Sequence, residues 1–172
     1  MSSASQVLQH LVGLPLSIVR RAADMRIFHF GDARPHPSGK GSVGTYALHV
    51  QCPWRFVGPG GILTGSSDRF VPPPDGARVN LDDPRAGSLQ EIAISALLVG
   101  WDEGTRSHVN TTSDLVVTSV SSDEFGGLDI VLSGGVRLQL FPDGSADEDW
   151  RFFEPDGPGT HLIIEGGGLV PD

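Results

Sequence analysis

The tripeptide Trp54-Arg55-Phe56 returns as Trp150-Arg151-Phe152. After each copy come a Gly/Pro turn and one more apolar strand, Ile62-Leu63-Thr64 and His161-Leu162-Ile163-Ile164. A missed repeat misreads a whole fold, so self-similarity is weighed before motifs. Just before each tripeptide lies a run that alternates apolar and polar residues, Tyr46 to Val50 and Val136 to Leu140. Alternation of that kind buries one face of a strand. Further upstream are two hairpin signals, Ile18 to Ala22 with Met25 to Gly31, and Leu115 to Val120 with Leu128 to Gly134. Gly134-Gly135 is a strong two-residue hairpin turn, whereas the same junction in the first half is a longer loop, Asp32 to Val43.

Each half opens on a helix signal. Ser3-Ala4-Ser5-Gln6 and Ser88-Leu89-Gln90-Glu91 match the capping box, and both stretches run to an identical Leu-Val-Gly ending at Gly13 and Gly100. Leu89, Ile92, Ala93, Ala96 and Leu97 keep the helical period, and Gly100 suits a left-handed residue closing the helix. These signals predict an α+β fold, mostly antiparallel β, with two repeated helix-plus-meander units packed about a pseudo-twofold axis. The predicted boundaries are 1–70 for the first helix/β unit, 71–87 for a Pro/Asp-rich linker and 88–172 for a second, acidic helix/β unit, all within one globule. The linker carries Pro72-Pro73-Pro74, Asp75-Gly76 and Asp82-Asp83-Pro84.

At 172 residues with 38% hydrophobic content the chain is long enough for a core of its own and too apolar for a disordered tail. One cysteine, Cys52, permits no internal disulfide. No stretch approaches the roughly 20 apolar residues of a membrane-spanning helix, and the amino terminus lacks the basic patch of a secretory leader. The expected location is the cytoplasm, with no membrane association. The net charge of -9 is unevenly divided: residues 1–86 hold 9 basic and 6 acidic side chains, residues 87–172 hold 3 and 15. The second half therefore repels nucleic-acid phosphates and attracts basic surfaces. Acidic residues also keep a Gly-rich β protein soluble, which is the plainer reading of the same numbers.

No complete catalytic or ligand-binding signature is present. Gly39-Lys40-Gly41-Ser42-Val43-Gly44 has the spelling of a dinucleotide loop but opens a strand instead of the helix such a loop needs. It reads as a mobile glycine loop, and no cofactor is expected. Cys52 follows His49 by three residues, and on a strand such positions face opposite sides, so the pair is not a nucleophile and its base. With no second cysteine a common structural zinc site is not expected either. Gly65-Ser66-Ser67-Asp68 lacks the setting of a nucleophile elbow. The run from Asp143 through Asp147, Glu148 and Asp149 lacks calcium-loop spacing, and no metal is assigned.

Tyr46-Ala47-Leu48-His49-Val50-Gln51-Cys52-Pro53-Trp54-Arg55, followed by Gly61-Ile62-Leu63-Thr64-Gly65-Ser66-Ser67-Asp68, resembles a group of uncharacterised bacterial proteins, chiefly from actinomycetes. The resemblance runs over most of the chain. It implies a small, widespread cytoplasmic fold and transfers no catalytic residue.

The first functional expectation is a non-enzymatic binding protein. Its acidic face, drawn from Asp143, Asp147, Glu148, Asp149, Asp102 and Glu103 with Asp123 and Glu124 beside them, would steer a basic protein partner in the manner of an immunity protein. The alternative is a small-ligand-binding protein or enzyme with a pocket between the two units lined by His29, His49 and Asp68. A monomer or homodimer fits either.

Overall fold

Alternation places the strands. Leu128-Asp129-Ile130-Val131-Leu132 and Val136-Arg137-Leu138-Gln139-Leu140 each bury every second residue, which is the signature of a sheet with one face on a core and the other toward water. The computed structural model describes residues 2–75, 87–159 and 161–171. Helix α1 (Ser2–Leu8) runs into a 3-10 turn (Gln9–Leu11). The strands of the first half are β1 (Leu16–Ala22), β2 (Met25–Phe30), β3 (Arg34–Pro35), β4 (Ser42–Val43), β5 (Tyr46–Val50), β6 (Trp54–Gly58) and β7 (Gly61–Gly65). After α2 (Leu89–Leu98) come β8 (Val99–Asp102), β9 (Ser107–Asn110), β10 (Val117–Ser122), β11 (Leu128–Leu132), β12 (Val136–Leu140), β13 (Glu148–Phe153), β14 (Leu162–Glu165) and β15 (Gly168–Leu169). Part of the expected linker, residues 76–86, lies outside the described residues.

An eight-stranded sheet, in the order β15-β14-β13-β5-β2-β1-β9-β8, packs on a five-stranded sheet, β10-β11-β12-β6-β7, while β3 and β4 pair by themselves. All pairings are antiparallel. The core between the sheets is aromatic: Phe28 meets Trp54 and Phe56 edge-on, with ring centroids 5.4 and 5.8 Å apart, the geometry aromatic pairs prefer. Leu8 and Leu11 plug it beside β10, and Ile94 and Leu98 of α2 close it along β7, β8 and β9. No helix among the described residues is long and apolar enough to cross a membrane.

The expected fold of two helix-plus-meander units about a pseudo-twofold axis is corrected by this topology. Neither of the two large sheets belongs to one half. Strands β1, β2 and β5 share a sheet with β13 and β14 from the other half, and β10, β11 and β12 share one with β6 and β7. The physical reason lies at the kinks Gln51-Cys52-Pro53 and Phe141-Pro142, where the chain leaves one sheet for the other and each hairpin completes its partner's sheet. The helices are not equivalent either, since α1 lies against β10 while α2 bridges β7, β8 and β9. What the two Trp-Arg-Phe strands do share is register. Trp54 stands opposite Leu140 and Phe56 opposite Leu138, and Trp150 stands opposite Val50 and Phe152 opposite Leu48.

Local chemistry explains the turns. Gly134 and Gly135 adopt φ of 81° and 76°, left-handed conformations that glycine takes without steric cost, in the three-residue loop 133–135 between the paired Leu132 and Val136. Ser88 caps α2 by accepting from the Glu91 amide at 3.3 Å. Gly100 does not end that helix. Val99 takes the positive φ instead, and Gly100 sits in β8, where an added Cβ would come 2.6 Å from the Val109 carbonyl oxygen.

Candidate functional site

Three loops meet at one end of the sandwich. Gly166 N donates to the Asp147 carbonyl at 3.0 Å, Gly167 N donates to the Asp149 carboxylate at 2.8 Å, and Trp150 Nε1 donates to the Gly126 carbonyl at 2.7 Å. A Cβ on Gly166 would lie 2.6 Å from the Ser145 carbonyl oxygen, so the backbones touch. Segments 123–127, 143–149 and 165–168 thus form one surface. Glu124, Asp143, Asp147 and Glu165 are exposed there, around Phe125, which is 69% exposed. Asp123 is exposed too and braces its own loop, accepting from the Phe125 and Gly127 amides at 2.8 Å each. Beside this surface a cleft of about 250 Å³ is lined by Ser121, Ser122, Asp123, Asp129, Gln139 and Phe141, among others.

The acidic residues singled out from sequence fall into three environments. Asp143 and Asp147 belong to the exposed end. Glu148 faces Arg151, which donates from Nε at 2.7 Å and from Nη2 at 2.6 Å; that hydrogen-bonded guanidinium holds the Glu148 carboxyl below its usual range. Asp149 is buried and serves the fold: besides its carboxylate contact, its carbonyl accepts from the amides of Gln51 and Cys52. Asp102 and Glu103 sit at the β8–β9 turn, separated from β13 by four strands. There Asp102 accepts from the Gly104 amide at 2.9 Å and Glu103 from Trp101 Nε1 at 2.8 Å.

Of the pocket trio, His29 and His49 lie on the outer face of the eight-stranded sheet, at diagonal positions of the β2–β5 ladder. Asp68 lies elsewhere, in a 3-10 turn after β7, accepting from Thr64 Oγ1 at 3.0 Å. The His29 imidazole is buried under residues 32–44, with Gly44 N donating to Nδ1 at 3.0 Å. Burial, then the Arg20 charge, lower its pKa to about 3. His49 is half-buried, and burial together with Arg151 and Arg20 brings it down to about 4. Cys52 is buried, and burial followed by the Asp149 charge raises its thiol to about 12, far from a reactive thiolate. Among the described residues no three His, Cys, Asp or Glu side chains gather in a group that could hold a metal.

Sequence reasoning missed one constellation. Beneath α2, Arg26 of β2 donates to Glu91 Oε1 at 2.8 Å and also reaches Gln90, while His108 Nε2 meets Glu91 Oε2 at 2.8 Å. All four residues are buried. Burial opposes ionisation of Glu91, but His108 and Arg26 outweigh it and hold its pKa below the ordinary value. Gln90 Nε2 ties the group to the Gly65 carbonyl at 2.8 Å. The network is a polar clasp between helix and sheets. A capping-box Glu and two scattered basic residues carry no such signal in one dimension.

No family model matches this chain, and no curated protein or solved structure matches it.

Proposed function

We propose that this chain is a non-enzymatic, cytoplasmic binding protein of the bacterial group its sequence resembles, offering the acidic three-loop end to a basic protein partner. The observation that carries the proposal is the cleft of about 250 Å³ with Asp123 and Asp129 in its lining, next to an exposed Phe125. Asp129 is paired with Arg137, so a guanidinium or ammonium side chain entering the cleft would meet the Asp123 carboxylate beside that pair. An exposed aromatic beside it supplies the apolar anchor that binding surfaces use, and the surrounding acids speed encounter. The charge division between the halves supports the same direction of attraction.

The side-chain carboxylates of Glu124, Asp143, Asp147 and Glu165 accept no hydrogen bond among the described residues, so neutralising them leaves the scaffold intact. The variant Glu124→Gln/Asp143→Asn/Asp147→Asn/Glu165→Gln is expected to keep its thermal midpoint and to associate about tenfold or more slowly at low salt with a basic partner captured from an actinomycete lysate and then purified. Undiminished association at low salt removes this end from the mechanism.

A further inference from the structure

A second face of the molecule carries a different chemistry. Register aligns Arg20 with Ile27, Ile27 with His49 and His49 with Arg151 across β1, β2, β5 and β13, and the next row holds Ile18, His29, Ala47 and Phe153. The charged and titratable groups around His29 and His49 are therefore Arg20, Arg151, His161 and one carboxylate, Glu148. Glu148 is taken by Arg151 Nε and Nη2, and Arg151 Nη1 lies 3.1 Å from His161 Nδ1. Arg20 is half-buried, and its guanidinium meets no carboxylate among the described residues. Its contacts are the Ser42 carbonyl at 3.2 Å and His29 Nε2 at 3.1 Å.

The hydrogen-bond inventory at His29 does not close. A neutral imidazole has one acceptor nitrogen and one N–H. The Gly44 amide uses Nδ1 as the acceptor, so the ring proton sits on Nε2 and points at Arg20 Nη2, which has only protons to offer. Two donors face each other, one of them on an uncompensated cation. No hydrogen bond to the His49 ring nitrogens is formed among the described residues, and that ring rests edge-on against Phe153 with centroids 4.8 Å apart. Buried and half-buried donors without acceptors are costly, and one acceptor-rich group of single negative charge would satisfy Arg20, the His29 N–H and His49 together.

We infer that Arg20, His29 and His49, with Arg151 Nη1 at the margin, form a binding site for a small oxyanion, a carboxylate or phosphoryl group carrying about one negative charge. The site lies on the outer face of the sheet, apart from the three-loop end, and stands or falls without it. Oxyanion binding would favour the protonated form of His49, since a new negative neighbour stabilises the cation.

The test is imidazole-detected NMR of the full chain. Acetate and inorganic phosphate are titrated separately against chloride at constant ionic strength. The His29 and His49 ring nitrogens are expected to shift saturably with at least one oxyanion and not with chloride, and the His49 titration midpoint to rise. Saturation by acetate alone assigns a carboxylate, and by phosphate alone a phosphoryl group. Arg20→Gln should weaken binding about tenfold or more. Arg151→Gln, at a more exposed position, should weaken it by a smaller factor and serves if Arg20→Gln fails to fold. Shifts that are linear and equal for chloride, or saturation unchanged in the Arg variants, overturn the site.

Discussion

Where β13 meets β5, the outer row of the sheet reads Arg151, His49, Ile27, Arg20; at the corresponding joint, where β6 meets β12, it reads Arg55, Gln139, Asp129, Ser121. The second row is conventional. Arg55 Nε donates to Gln139 at 2.9 Å and stacks on Phe141, and Asp129 pairs with Arg137. The first has a cation, Arg20, without a carboxylate and an imidazole, His49, kept neutral, with a second neutral imidazole, His29, in the next row. The loops differ in the same sense: two glycines close β11 to β12, while residues 31–45 make an excursion from β2 that returns over the sheet and buries Val43, Ile18 and His29. One register therefore supports two surfaces. The pairing is fixed by inward residues, Leu48 and Leu138 or Phe56 and Phe152, which are alike; the outward residues are free to differ, and they do.

The core-facing positions differ at one joint as well. Arg26 lies opposite Val50, whereas Leu128 lies opposite Leu140. The buried guanidinium is compensated by Glu91 of α2, whose other carboxylate oxygen is held by His108 of β9. Glu91→Ala is expected to destabilise by about 3–5 kcal/mol in urea denaturation, because it leaves a buried cation unpaired. The double variant Arg26→Leu/Glu91→Ala, which makes this joint resemble its counterpart, should recover at least about 1 kcal/mol of that loss. A double variant as unstable as the sum of the two single losses would show that the clasp is not a coupled unit.

A smaller effect separates the halves by pH. His29 faces Ile18, and its counterpart Val131 faces Ser119. The folded His29 titrates at about 3, while the unfolded ring binds a proton near pH 6.5. Below pH 6.5 the unfolded chain therefore takes up a proton that the folded chain refuses, and stability falls by up to about 1.4 kcal/mol per pH unit from this residue. His49, depressed to about 4, adds a weaker slope of the same sign because it is partly solvated. Chemical denaturation between pH 7 and 5 should show the decline, and His29→Val should flatten it. A variant with the wild-type slope would place the titrating group elsewhere.

The strands were legible where alternation was clean, as at Leu128 to Leu132, and the glycine pair announced its turn. β8 and β9 were not, because His108 brings an imidazole inward to the clasp and the buried Ser107 spends its hydroxyl on the Thr105 carbonyl, which breaks the apolar pattern. The acidic run was legible as charge but not as geometry: Asp149 looks like its neighbours in sequence and is buried out of step with Trp150 and Phe152, where the β13 ladder is irregular between Glu148 and Trp150 and the Asp149 carboxylate accepts from Gly167 N. The diagonal placement of His29 and His49 follows from the pairing of β2 with β5, and Asp68 parts from them because the chain changes sheets between Val50 and Trp54. That crossing is also what sequence periodicity could not show, since a strand alternates in the same way whichever sheet it joins.

The most direct test of the proposed contact is an amide NMR titration of the intact chain with an arginine-rich peptide at low and high salt. The predicted result is saturable, salt-sensitive shifts confined to residues 123–127, 143–148 and 165–168 and the adjoining Asp129. Shifts centred instead on the Asp102–Glu103 turn, or spread evenly over the surface, would contradict it.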